Sequence, residues 1–199
     1  MAGGVRGVVR IAGGRWRGRA LEVPAGEATR PTGARVREAI GSILAPVLAG
    51  ARVLDLFAGS GALGLECLSR GARALLAVER HPPTAALVTR NAAALGAGAV
   101  VRVVAGDAAA WLGRDEGTYE VVVADPPYAY AGWEDLLGVL APRLAPGATV
   151  LLERPADAAD LAWPGHRLLK TYRYGGTRLE RWSPVEDDGE TPPAGTKGA

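Results

Sequence analysis

Residues 53–66 read VLDLFAGSGALGLE. The run RVLDLF, residues 52–57, predicts a buried strand. Gly59-x-Gly61-x-x-Gly64 follows at once, at the spacing of a loop that carries backbone close to a bound nucleotide before a helix begins. Outward from this loop the pattern repeats. RALLAVE predicts a second strand and PPTAALVTRNAAALG a helix. VVRVVAGD predicts a third strand, followed by a short helix around Trp111. YEVVVADPPY predicts a fourth strand, and a helix is expected over Trp133–Leu144. ATVLLER, HRLLKTYRY and TRLERWS complete the strands, the last two without a helix between them. Alternating strands and helices predict an α/β fold, a Rossmann-like and mostly parallel sheet covered on both faces. The last two strands should form an antiparallel hairpin at its edge.

The N-terminal segment has a different pattern. VVRIAGGRWRGRALEVP predicts a hairpin around Gly13-Gly14, and TRPTGARVREAIGSILAP a helix capped by Thr32 and closed near Pro46. Three segments are therefore expected: a basic hairpin and helix over 1–50, a catalytic domain over 51–184, and a disordered tail over 185–199. Net charge is +2, but residues 1–50 hold eight arginines and three glutamates, a balance of +5. The single cysteine, Cys67, excludes a disulfide framework, and only two histidines occur, His81 and His166. No apolar run is long enough for a membrane span. A cytoplasmic protein with no membrane contact and no metal is expected.

Acids fall at successive predicted strand ends: Asp55, Glu79, Asp107 and Asp125. Core packing does not explain them, because ionised groups are rarely buried unpaired. They decide between two nucleotide cofactors. A dinucleotide such as NAD places its pyrophosphate at a helix N-terminus, and only Glu79 would have a partner on it. S-adenosylmethionine carries an ammonium, two ribose hydroxyls and an adenine amine instead of phosphate. Asp55 suits the ammonium directly or through water, Glu79 the ribose hydroxyls and Asp107 the adenine amine. The cofactor-binding set is then Asp55, Phe57, Ala58, Gly59, Ser60, Gly61, Gly64, Glu79, Asp107 and Ala108. The loop resembles that of the class I S-adenosylmethionine-dependent methyltransferases.

The tetrapeptide DPPY, Asp125, Pro126, Pro127 and Tyr128, supplies the candidate catalytic residues. Two prolines stiffen the backbone and remove two N–H groups, so carbonyls, a carboxylate and an aromatic ring remain to meet a planar base with an exocyclic amine. Accepting both N–H groups of that amine, at the Asp125 carboxylate and the Pro126 carbonyl, turns its lone pair toward a methyl donor. Tyr128 can stack on the base, an interaction worth about 1–3 kcal/mol.

Five pieces in order, RIAGGRWRGRALEVP, RPTGARVREAI, LDLFAGSGALGLECLSRGA, ADPPY and YGGTRLERW, resemble the RsmD-type methyltransferases. They run from Arg10 to Trp182. The resemblance implies methyl transfer from S-adenosylmethionine to the N2 amine of one guanine in 16S ribosomal RNA, free or in a small-subunit particle. The family pattern usually has Thr or Ser and then Asp where this chain has Gly33-Ala34.

Beside such a site the basic arm reads as an RNA contact. Arg10, Arg15, Arg17 and Arg19 lie on the hairpin with Trp16 among them, and Arg30, Thr32, Arg35 and Arg37 follow. Arginines attract phosphates and an aromatic ring stacks bases. A solvated hairpin with Trp16 packed on the core is the competing structural reading. The arm precedes the cofactor-binding sheet, so changing its arginines should affect RNA and spare the cofactor. Cys67, Trp111, Trp133, Trp163 and Trp182 are expected to pack. DNA adenine-N6 methylation uses the same amine chemistry, but no separate DNA-recognition domain is evident. Glutamine methylation usually goes with Asn before the prolines. A non-catalytic RNA-binding assembly factor would have a degraded site, whereas these motifs are intact.

Overall fold

The computed structural model describes residues 5–24 and 31–185. Its centre is a seven-stranded sheet built from β3 (Arg52–Leu56), β4 (Ala74–Glu79), β5 (Val101–Ala105), β6 (Tyr119–Ala124), β7 (Leu144–Pro155), β8 (His166–Tyr174) and β9 (Thr177–Pro184). Strand order is β5-β4-β3-β6-β7-β9-β8, with β3 to β7 parallel and β9 antiparallel to both of its neighbours. β3 and β6 read as continuous apolar runs because helices cover both faces of a parallel sheet. Those helices are α2 (Ala62–Ser69), α3 (Pro82–Ala94), α4 (Ala108–Leu112) and α5 (Trp133–Leu140). The chain builds outward from β3 through β4 to β5, then returns to β6 on the other side. The crevice between the carboxyl ends of β3 and β6 is therefore the switch point where ligands bind in such sheets.

The N-terminal segment is part of the same core. β1 (Val5–Arg10) and β2 (Ala20–Pro24) form the expected antiparallel hairpin, with a single 3-10 turn at Gly14–Trp16. Val9, Ile11, Leu21 and Val23 bury against the sheet together with Val36, Ile40 and Leu44 of α1 (Pro31–Leu44). Polar ties fix the hairpin to α2. The Ala12 N–H donates to Glu66 Oε2 at 2.7 Å, and Glu66 Oε1 pairs with Arg70 Nε at 2.7 Å. Ser69 Oγ accepts the Trp16 N–H and donates to the Gly13 carbonyl. At Gly14, φ is +75° and a Cβ would collide with the Ser69 carbonyl, so only glycine fits that contact.

Two expectations are corrected. Thr32 does not precede α1, because the helix already begins at Pro31, whose ring fixes φ for a first helical position. The helix expected over Trp133–Leu144 stops at Leu140, with a 3-10 turn over Ala141–Arg143. Pro142 has no N–H for the helical ladder, and β7 starts at Leu144. Arg30 and the expected tail beyond Val185 lie outside the described residues. Among the described residues no helix is long and apolar enough to cross a membrane.

Candidate active site

The loop after β3 is held in strained geometry. Phe57 has φ of +65°, a left-handed conformation that bulky residues rarely adopt, and Gly59 and Gly61 follow at +54° and +78°. Phe57 stays there because its ring packs edge-on against Tyr130, with centroids 5.0 Å apart, and Tyr130 packs in the same way on Trp133. The Ala58 N–H donates to the Val78 carbonyl, which tacks the loop to β4.

Asp55, Glu79 and Asp107 are each oriented by backbone. Asp55 is buried, and its Oδ2 accepts the Gly64 N–H at 2.9 Å. Burial pushes its carboxyl up to about 7, the Gly64 bond opposes this, and the charges of Asp125 and Glu79 add to it. Glu79 Oε2 accepts the Gly59 N–H and Oε1 the His81 N–H, both at 2.8 Å. Asp107 caps α4, accepting the Ala110 N–H at 3.0 Å. A carboxylate has about four lone-pair sites, so these bonds aim the groups and leave capacity for a ligand.

All of them open onto one cavity of about 850 Å³ at the switch point. At its other end stand Asp125, Pro126, Pro127 and Tyr128, with Glu153 beside them. The register explains that neighbour: Ala124 pairs with Leu152, so Asp125, just past β6, comes beside Glu153, where β7 runs on against β9. Glu153 and Thr177 face the cavity, whereas Arg154 and Arg178 alternate to the opposite side of the β7–β9 pair. There Glu180 binds both arginines, Arg154 Nη1 at 3.1 Å and Arg178 Nε at 2.7 Å. That buried ion cluster fixes the floor carrying Glu153 and Thr177.

The predicted cofactor residues Asp55, Phe57, Ala58, Gly59, Ser60, Glu79, Asp107 and Ala108 line the cavity together. Gly61 and Gly64 stand behind the loop. A Cβ on Gly61 would press on Val88, and one on Gly64 would press on Leu75 and Asp55, so these glycines serve packing. Among the described residues, Arg37 is the one predicted RNA contact that reaches the cavity wall, and the side chains of Arg30 and Thr32 lie outside the described ones. Arg10, Arg15, Arg17, Arg19 and Arg35 are exposed outside it. The Arg15 guanidinium lies 4.0 Å over the Trp16 ring, and Trp16 packs in part on the core.

Several residues escaped sequence reasoning. Glu153 carries a signal close to that of the four acids singled out, a carboxylate just past the last parallel pair of its strand. Val9, Val23 and Pro24 of the hairpin form a wall of the cavity. Asn91 of α3 had no readable signal, yet it is buried and accepts the Glu22 N–H while donating to the Glu22 and Ser60 carbonyls.

Among the described residues the charged lining is five carboxylates and two arginines, Arg37 and Arg80. That set fits a ligand with cationic and hydroxyl groups, as S-adenosylmethionine has, and opposes a pyrophosphate. Among the described residues no group of three or more His, Cys, Asp or Glu side chains is placed to hold a metal ion.

The family model described as conserved hypothetical protein 95 matches residues 9–183. The ribosomal RNA small subunit methyltransferase D of Escherichia coli (strain K12) is 36% identical over 187 residues, 93% of this chain and 94% of that protein. The Haemophilus influenzae protein of the same name is 33% identical, over 83% and 88% of the two chains. Among solved structures, Escherichia coli yhhF aligns with a TM-score of 0.79 at 36% identity, covering 89% of this chain and 98% of that one.

Proposed function

This chain belongs to the family described as conserved hypothetical protein 95, and on that premise we propose that it methylates the exocyclic N2 amine of one guanine in 16S ribosomal RNA, with S-adenosylmethionine as donor. The observation that carries the reading is that one cavity takes in both sets of residues. Aimed carboxylates at one end suit the cofactor, and Asp125–Tyr128 at the other suit a planar base.

The cofactor supplies an electrophilic methyl on a sulfonium. Glu79 accepts from the ribose hydroxyls, Asp107 from the adenine amine, and Asp55 faces the ammonium. Asp125 and the Pro126 carbonyl accept the two hydrogens of the guanine amine, whose lone pair is otherwise delocalised into the ring. Held in this way, the nitrogen presents its lone pair along the line of transfer. Tyr128 stacks on the base. Catalysis is then positioning plus electrostatic stabilisation. The attacked amine becomes acidic, and Asp125 takes its proton.

A paired guanine hides N2, so the target nucleotide enters unpaired or extruded. The arginines of the hairpin and α1 hold the flanking phosphates. The substrate is the RNA of the small subunit, free or in a particle, and its location is the cytoplasm. Purified protein, S-adenosylmethionine labelled at the methyl and small-subunit particles from cells lacking the protein test the reading. Label should appear in N2-methylguanosine after nuclease digestion. Label in another nucleoside, or in protein alone, would contradict it.

A further inference from the structure

We propose that Glu153 reads the N1–H of the target base and thereby selects guanine over any base that offers an acceptor at that position. This inference rests on the guanine-N2 reading above. On guanine the N1–H and the N2 amine are neighbouring donors on one edge. On the protein, Asp125 and Glu153 are neighbouring acceptors just past the last β6–β7 pair, Ala124–Leu152, where β6 has ended and β7 continues. With Asp125 on the amine, the next acceptor along the edge is Glu153.

The carboxylate is held for such a task. Thr177 lines the cavity beside Glu153 and favours its ionised form as a hydrogen-bond partner, and the Tyr128 hydroxyl lies 3.0 Å from Thr177 Oγ1. Thr177 is buried and has one proton to give. When it donates to Glu153 it must accept from Tyr128. A chain Tyr128 to Thr177 to Glu153 thus ties the stacking ring to the reading carboxylate. Arg37 supplies a positive charge beside Glu153, while burial and the Asp125 charge push its carboxyl up to about 7. Asp125, Arg37, Thr177 and Tyr128 are thus the groups around it, and a donor from the base favours the ionised form.

Adenine would bring an acceptor to the same place. Its N1 lone pair would face the carboxylate, leaving a partly buried acceptor unpaired and opposed. Sites built to accept a substrate hydrogen reject analogues lacking it much more strongly than apolar pockets reject a missing methylene. Asp125 alone would accept any exocyclic amine; Glu153 restricts the choice.

The test uses small-subunit particles assembled with RNA in which the mapped target guanine is replaced by 2-aminopurine. This base keeps the N2 amine but has an acceptor at N1. Wild type should show kcat/KM for 2-aminopurine lower than for guanine by on the order of a hundredfold. In Glu153→Gln the side-chain carbonyl still accepts from Thr177, and the amide can donate to N1 of 2-aminopurine. The preference should therefore collapse to within a few fold or invert. Without cofactor, 2-aminopurine fluorescence should show this variant binding the substituted particle more tightly than wild type. Wild type that methylates both bases equally overturns the inference whatever the variant does, as does a folded Glu153→Gln with the wild-type preference. Wild type inactive on guanine particles would overturn the function itself, and this assignment with it.

Discussion

The Tyr128 hydroxyl lies 3.0 Å from the Thr177 hydroxyl, so the exposed ring at the mouth of the cavity is pinned by its para position to the start of β9. Tyr128 therefore has two separable parts. Tyr128→Phe keeps the stacking face and loses the pin, so kcat/KM should fall only a few fold. Tyr128→Ala loses the face as well. Base stacking is worth about 1–3 kcal/mol, so its RNA KM should rise by roughly 5- to 150-fold at unchanged cofactor affinity. Equal activity in both variants would show that the ring does not touch the base.

Asp55 makes stability depend on pH. Its carboxyl stands at about 7 in the folded chain against an ordinary value of 3.8. Between those values the folded state binds more protons than the unfolded state, so this group lowers stability as pH rises from about 4 to 7. This displacement corresponds to roughly 4 kcal/mol as an upper figure. Asp55→Asn retains a carbonyl to accept the Gly64 N–H and removes the charge. It should be the more stable protein near pH 8, with a shallower fall above pH 4; Glu153, also raised to about 7, leaves part of the slope. Calorimetric unfolding across pH checks this. A variant less stable than wild type at every pH would contradict it. The same variant should bind S-adenosylmethionine more weakly, because the ammonium loses its anion.

The sheet and four of the site acids were legible because each follows local rules. A buried parallel strand is an apolar run, and an acid at its end has few structural uses. Glu153 comes close to the same rule but required the β6–β7 register to place it beside Asp125. Thr177 and Asn91 were not legible, since their roles come from contacts across 49 and 69 residues of sequence, at Tyr128 and Glu22. The end of α5 was misplaced because Pro142 truncates an otherwise apolar helical pattern.

Asn91 revises the expectation that the N-terminal arm and the cofactor site are independent. Its amide donates to the Ser60 carbonyl of the glycine loop at 2.9 Å and to the Glu22 carbonyl of β2 at 2.8 Å. Asn91→Ala leaves the Glu22 N–H and two carbonyls without this partner. Buried groups so deprived cost about 1–3 kcal/mol each. The melting temperature should drop by several degrees, and S-adenosylmethionine affinity should fall with it. By contrast, Arg15, Arg17 and Arg19 are exposed. Replacing all three by Ala should leave cofactor affinity unchanged while raising the RNA KM and flattening the salt dependence of RNA binding. Titration of both variants with cofactor and with RNA separates the two parts of the arm. A triple variant with wild-type salt dependence would remove those arginines from substrate binding.

Mapping of methylated nucleosides by mass spectrometry tests the central claim most directly. Small-subunit ribosomal RNA would be taken from cells lacking the protein, and from the same cells given wild type or Asp125→Ala. Asp125 lines the cavity and is assigned the amine hydrogen and proton, so the variant should fold but transfer no methyl. The account predicts one N2-methylguanosine missing in the deletion, restored by wild type and still missing with Asp125→Ala. An unchanged set of N2-methylguanosines in the deletion strain, or full restoration by Asp125→Ala, would contradict it.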